Sequence, residues 1–364
     1  MHATIEAVKD LLQRAAAAGL IPGGVAGWST GAREPTLVPV GQVTVNGRAR
    51  PAAVGDWFDL ASLTKPLATT TLFLLALREG RLDLATRVGE VLTEVAHRAV
   101  GELTMVELLT HTSGLPDWQP IYALARGDRR QAEVTVLELA LVHDRSHHVV
   151  YSCPGFIILG LVLARVWGAP LDTCLTGRVL VPLGLTGELG FRPDPGALPV
   201  VDGAGRPSAE TELVAQAGLD PVWVPPGSVP DDGNARFLDG VAGNAGLFGT
   251  ARGVVQLARQ FLSSSSQLLE QDEVIGATQC RTAGLEQRRG LGWQLAGTPG
   301  CSAGGAVSRR AFGHTGFTGS SVWVDPEREL VMTLLAHRHH PTHRGVDLHP
   351  LRRRFHSIVV GGMG

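Results

Sequence analysis

The chain has 364 residues, of which 44% are hydrophobic and 18% charged, and its formal net charge is −2. That apolar content suffices for a packed core, and the charge fraction is too low for a disordered chain. The near-neutral balance, with no Lys/Arg stripe, argues against a nucleic-acid binder, and the length fits one large domain or two.

Residues 3–19 place Ile5, Val8, Leu11, Leu12 and Ala15 at helical spacing with charges opposite, the pattern of an amphipathic helix rather than a secretory signal. After Ile21-Pro22-Gly23-Gly24, the runs VAGWST and TLVPVGQVTV read as the strands of a hairpin. The next stretch, WFDLASLTKPLATTTLFLLALREG (57–80), is apolar on nearly every face from Leu63 to Leu77, which predicts a buried helix over 62–79. Helices follow in LTMVELLTHTSGLPDW, in TVLELALVHDR (135–145) and in FIILGLVLARVWG. Residues 182–235, rich in proline and glycine, read as an irregular surface region; TARGVVQLARQFLS reads as a helix and 263–266 as a loop.

Strand signal returns after residue 290, in GLGWQLAG and then in HTGFTGSSVWVDPERELVMTLLAHR, a strand, Asp-Pro turn and strand. A helical segment over 344–360 closes the chain, with Arg352 to Arg354 expected on its solvated face. Strands at both ends around a helical middle predict an α+β fold: an antiparallel sheet built from both chain ends and flanked by helices, with an inserted all-helical domain. The expected division is 1–58 plus 288–364 for the sheet domain and 59–287 for the mostly helical one, with a site in the cleft between them. The longest apolar run, Phe156 to Ala164, is too short to span a bilayer. Cys153, Cys174, Cys280 and Cys301 show no C-x-x-C spacing and read as reduced thiols, so a cytoplasmic protein is expected.

Chemistry concentrates at Ser62 and Lys65, which stand three residues apart and so share one helix face. Among 32 basic residues only Lys9 and Lys65 are lysine. A chain that nearly always uses arginine keeps lysine where an amine must lose a proton, which guanidinium cannot do. Pro66 fixes the helix start, placing Ser62 at or before the first turn, where free N–H groups favour developing negative charge. Tyr151, one of two tyrosines, lies in a Pro/Gly-bounded turn, and His314-Thr315-Gly316 begins a late strand. Competing patterns are weaker. G-x-S-x-G occurs around Ser29 and Ser302 without the required strand-to-helix context. His337, His339, His340, His343 and His349, like His143, His147 and His148, read as solvated turns; no metal or cofactor is expected.

Taken in order, Ser62-x-x-Lys65, Tyr151-Ser152-Cys153 and His314-Thr315-Gly316 resemble the serine β-lactamase and penicillin-recognising enzyme superfamily, in its class C-like branch, which also holds D,D-carboxypeptidases, D-aminopeptidases and esterases. LLTHTSGLPDW, YSCPGFIILG, GVAGNAGLFGTA and GHTGFTGSSVWVDPE extend the resemblance over most of the chain. It implies that Ser62 is the nucleophile and that Lys65 lowers neighbouring pKa values and relays protons. Tyr151 would be the general base and His314 an electrostatic or carboxylate contact, with the N–H groups of Ser62 and Phe317 forming the oxyanion hole. Cys153, Thr315 and Gly316 would face substrate. Cys153 stands where that family has Asn, and His314 where it has Lys; both departures weaken the case for efficient antibiotic hydrolysis and leave acyl transfer intact. The expected partner is a small ester, amide or β-lactam, with no nucleic acid or membrane and the oligomeric state open. The pocket is expected to be built from 117–150 and 182–240. The other class of reading is a catalytically weak penicillin- or substrate-binding module that keeps the fold.

Overall fold

The computed structural model describes residues 2–126, 128–203, 214–216, 218–219, 230, 232–262, 264–337 and 346–363. Its strands are β1 (Gly23–Thr30), β2 (Thr36–Val45), β3 (Arg48–Pro51), β4 (Phe58–Asp59), β5 (Leu189–Phe191), β6 (Leu247–Gly249), β7 (Gln294–Leu295), β8 (Phe312–Thr315), β9 (Ser321–Asp325) and β10 (Leu330–Ala336). Seven form one antiparallel sheet in the order β3-β2-β1-β10-β9-β8-β7. The two chain ends meet at its centre, where β1 pairs β10 from Gly24 opposite Ala336 to Thr30 opposite Leu330.

Strand β10, LVMTLLA, is buried along its whole length, because helices cover both faces of the sheet. Successive side chains of a strand point to opposite faces. Val331 and Leu335 thus join Val25 and the helix Ala251–Ala258 in one core, while Leu330, Met332 and Leu334 join Val8, Leu12 and Phe355 from the terminal helices in the other. Those terminal helices, His2–Ala17 and His349–Gly361, also pack on each other.

The middle of the chain is mostly helical but also supplies β5 and β6; β6 pairs with β4 on one side and β5 on the other in a three-stranded sheet. These strands have two or three residues each and carry no periodicity to read. Their role is local: β4 and the bond from Leu60 N–H to Leu247 O fix the chain just ahead of Ser62.

Two expectations need correction. The helix expected over 135–145 runs instead from Arg129 to Leu137, capped by Asp128, whose side chain accepts from Gln131 N–H. Residues beyond it satisfy their N–H groups elsewhere: Val142 and His143 donate to Gly114 O, and Ser146 to Thr112 O. The Arg352–Arg354 run is not simply a solvated face. Leu351, Phe355 and Val359 dock the helix on the sheet, which turns Arg352 inward to donate to Ser320 O at 2.9 Å and Gly316 O at 3.4 Å. Arg353 donates to Gly300 O and Cys301 O, and only Arg354 of the three is exposed. Buried carbonyls of tight loops need donors, and long basic side chains supply them.

Among the described residues no single helix is long and apolar enough to cross a membrane. The four cysteines are free.

Candidate active site

Ser62 sits in a 3₁₀ turn, Ala61–Leu63, which runs through a π-helical stretch, Lys65–Thr70, into the α-helix Thr71–Arg78. The single helix expected over 62–79 is thus one continuous rod of three pitches. Pro66 has no N–H to donate to the Ser62 carbonyl, so the regular ladder cannot begin there, and wider turns of this kind recur at functional sites. Ala61, immediately before Ser62, has φ +46°. A left-handed conformation at a residue with a side chain is strained unless its surroundings hold it. Here the Asp59 carboxylate accepts Ala61 N–H at 2.7 Å, and the loop after β8 clamps the same segment, Ser320 Oγ donating to Leu60 O and Thr318 Oγ1 to Asp59 O. Gly316 allows this approach: a Cβ there would stand 2.7 Å from Leu60 O and 2.1 Å from Ser320 Oγ.

Lys65 is fully buried, a placement that is costly for an ammonium unless it is paired. Its Nζ donates to Ser62 Oγ at 3.0 Å and to Asn244 O at 3.0 Å, and lies 3.5 Å from Cys153 Sγ. The Asn244 carbonyl reaches it because Gly243 packs against the helix Cys153–Trp167, where a Cβ would meet Phe156 O at 2.0 Å. Nζ is 4.9 Å from the centre of the Tyr151 ring, and Tyr151 lines the same cavity as Ser62. Hydroxyl, amine and phenol therefore meet, although the last comes from 86 positions along the chain after Lys65.

Electrostatics refine the expected roles. Burial pushes the Lys65 amine down, but Cys153 and Tyr151 beside it outweigh this and its pKa is raised. Lys65 pulls the pKa of Tyr151 down, as expected, but burial outweighs it and the net shift is upward, so the phenol is not held ionised. The resting site is ammonium, phenol and serine hydroxyl. His314, buried on β8, is pushed well below the ordinary imidazole range by burial and by the cations Arg289 and Lys65, so it stands neutral. Its Nδ1 pairs with Thr315 O at 2.8 Å and its ring is 5.8 Å from that of Tyr151.

Ser62, Tyr151, His314, Thr315, Gly316 and Phe317 line one open cavity of about 300 Å³. Cys153 does not line it; the thiol lies behind, against Lys65, and its pKa is raised by burial. Among the described residues the remaining walls come from 287–294 and from the terminal helix, and none from 117–150 or 182–240; much of 204–231 lies outside the described residues.

Arg289, which no motif marks, also lines the cavity. It is 5% exposed, its guanidinium is 5.6 Å from the Tyr151 ring, and Nε and Nη2 donate to Gln287 Oε1. Among the described residues it has no carboxylate partner. Burial lowers its pKa to about 10, which leaves it charged at neutral pH. One arginine among so many carries no sequence signal; only the fold singles it out.

The competing motifs disperse. Ser29 Oγ donates to Arg33 O and accepts from Arg259, far from Lys65, and Ser302 accepts the Trp323 indole N–H. His143, His147 and His148 are exposed. His337 is buried, so it is not solvated, and His349 lies on the cavity rim bonded to Asp347; His339, His340 and His343 lie outside the described residues. Among the described residues no three His, Cys, Asp or Glu are placed to share a metal ion.

The family described as Beta-lactamase matches residues 8–356. A protein of Escherichia coli (strain K12), named "Putative D-alanyl-D-alanine carboxypeptidase", is 27% identical over 79% of this chain and 70% of its own. Among solved structures, "EstCE1, a hydrolase with promiscuous acyltransferase activity" is similar at TM-score 0.76 and 20% identity over 98% of both chains. A class C beta lactamase from Rhodobacter sphaeroides is similar at TM-score 0.74 and 18% identity over 99% of this chain and 100% of that one.

Proposed function

The chain belongs to the Beta-lactamase family, and on that premise we propose that it is a serine hydrolase that forms an acyl-enzyme on Ser62. The observation that carries this reading is the convergence of Ser62, Lys65 and Tyr151, with Lys65 Nζ 3.0 Å from Ser62 Oγ. The reactive form has lost one proton from the coupled Lys65–Tyr151 pair, whose titration belongs to both groups. That base takes the Ser62 proton as Oγ attacks the carbonyl carbon. The N–H groups of Ser62 and Phe317 hold the oxyanion, and the same proton passes to the leaving group as the scissile bond breaks. Water then repeats the sequence on the acyl-enzyme and frees Ser62.

Arg289 supports a narrower substrate class: small amides or esters that carry a carboxylate, such as a peptide ending in a D-amino acid. A carboxylate in the cavity would give this guanidinium its missing counter-charge. His314, being neutral, is unsuited to that task. Cys153 lies too deep to replace a substrate-facing amide, which favours such peptides and esters over rapid β-lactam turnover. The two-lobed division, 1–58 plus 288–364 against 59–287, belongs to the same proposal, with the cavity between the lobes. The test is turnover of p-nitrophenyl acetate, nitrocefin and an acyl-D-Ala-D-Ala peptide by wild type and Ser62→Ala. All measurable turnover is expected to vanish in the variant; turnover that survives removes Ser62 as nucleophile.

A further inference from the structure

We propose that His111 is the positioning residue of Tyr151, holding the phenol against Ser62 and Lys65; this rests on the reading of Tyr151 as a proton carrier. Tyr151 needs such a support. Residues 147–152 around it belong to no helix or strand, so no regular ladder fixes the direction of its side chain. Three contacts from one residue do so. The His111 carbonyl accepts Val150 N–H at 2.9 Å, its Nδ1 accepts Ser152 N–H at 3.0 Å, and its ring lies 4.6 Å from the Tyr151 ring at a tilt of 42°. The N–H groups of both residues flanking Tyr151 therefore end on His111.

The imidazole serves here as an acceptor and not as a charge. Ser152 N–H requires the Nδ1 lone pair, so the ring proton sits on Nε2, and a second proton on Nδ1 would break the bond. Nε2 is buried without a hydrogen-bond partner, and burial beside Arg289, Lys65 and His314 keeps the ring neutral. His111 also has φ +60°, a backbone that persists where its surroundings over-determine it. The helix N-terminus that follows locks the other side: Ser152 Oγ accepts Gly155 N–H and donates to Pro116 O.

Two substitutions separate the ring from the acceptor. His111→Phe keeps an aromatic face and deletes the acceptor. His111→Asn keeps an acceptor near the Nδ1 position, and Asn tolerates the left-handed backbone. The chain has only two tyrosines, and Tyr122 is a core residue stacked on Phe237 at 5.3 Å. Protein labelled with 3-fluorotyrosine thus gives two ¹⁹F resonances, one an internal reference. In His111→Phe the Tyr151 resonance is expected to shift and broaden while that of Tyr122 holds. With p-nitrophenyl acetate, kcat is expected to fall about 10- to 100-fold, the scale of a misaligned proton carrier, with KM within about twofold; His111→Asn should restore both readouts. An unmoved Tyr151 resonance, an unchanged kcat, or equal losses in the two variants overturns the proposal. If His111→Phe does not fold, folded His111→Asn decides alone: a near-normal rate and resonance supports the assignment, and a hundredfold loss overturns it. A wild type with no hydrolytic activity would remove the proposed function, yet the ¹⁹F comparison would still report whether His111 holds the phenol.

Discussion

Tyr151 is flanked by two buried cations, and the two sides of the ring differ in kind. On one side Lys65 is saturated, its ammonium spent on Ser62, Asn244 O and the Cys153 thiol. On the other, Arg289 is bonded through Nε and Nη2 to a neutral amide and faces the open cavity. The first donates directly to the proposed nucleophile, Ser62; the second, with its pKa lowered by burial to about 10, stays charged at neutral pH. Under the proposed function, the first belongs to the reacting wall of the site and the second to its recognising wall.

The comparison breaks most sharply at Lys65. Lys65→Arg keeps the charge and removes the titrating amine, so kcat on p-nitrophenyl acetate is expected to fall about 10³-fold or more, within the range for lost acid–base function. A near-normal rate would place Lys65 among structural cations. The pH profile sharpens the same point. Both members of the Lys65–Tyr151 pair are raised above their ordinary values, and activity requires the loss of one proton. kcat/KM is therefore expected to rise with pH, about tenfold per unit below the pair's apparent value and still rising above neutrality; a profile flat from pH 6 to 9 would contradict it.

Arg289→Gln tests the recognising wall. Loss of a charged hydrogen bond of about 1.5–3 kcal/mol corresponds to a fall of about 10- to 100-fold in kcat/KM. That fall is expected for a peptide ending in a free carboxylate and not for p-nitrophenyl acetate, which has none. Equal effects on both substrates would end the division of labour. The smallest change is expected from Cys153→Asn: the side chain lies behind the cavity wall, so the ratio of β-lactam acylation to ester cleavage, read from nitrocefin and p-nitrophenyl acetate in parallel, should be unchanged. A clear rise in that ratio would mean that position 153 reaches the substrate.

How much of this was legible in the sequence follows the same division. Lys65 stood out because the chain spends only two lysines, and Ser62 stood out through its spacing from it. The sheet was legible because β1, β2, β9 and β10 are long enough to carry apolar patterns. β5 and β6 were not, since strands of three residues show no period. Arg289 and Arg352 were hidden among many arginines, and their burial is decided by tertiary packing. His111 was hidden differently: its segment was visible as HTSG, but the two N–H groups it receives come from about 40 residues away and exist only in the fold.

The central claim is that one hydroxyl, made reactive by an amine and a distant phenol, becomes acylated. Intact-protein mass spectrometry after exposure to a fluorophosphonate tests it most directly, followed by peptide mapping. One adduct on the peptide containing Ser62, absent in Ser62→Ala and slowed in Lys65→Arg, is the predicted result. A single adduct that persists in Ser62→Ala, or that maps to Ser29 or Ser302, would contradict the account.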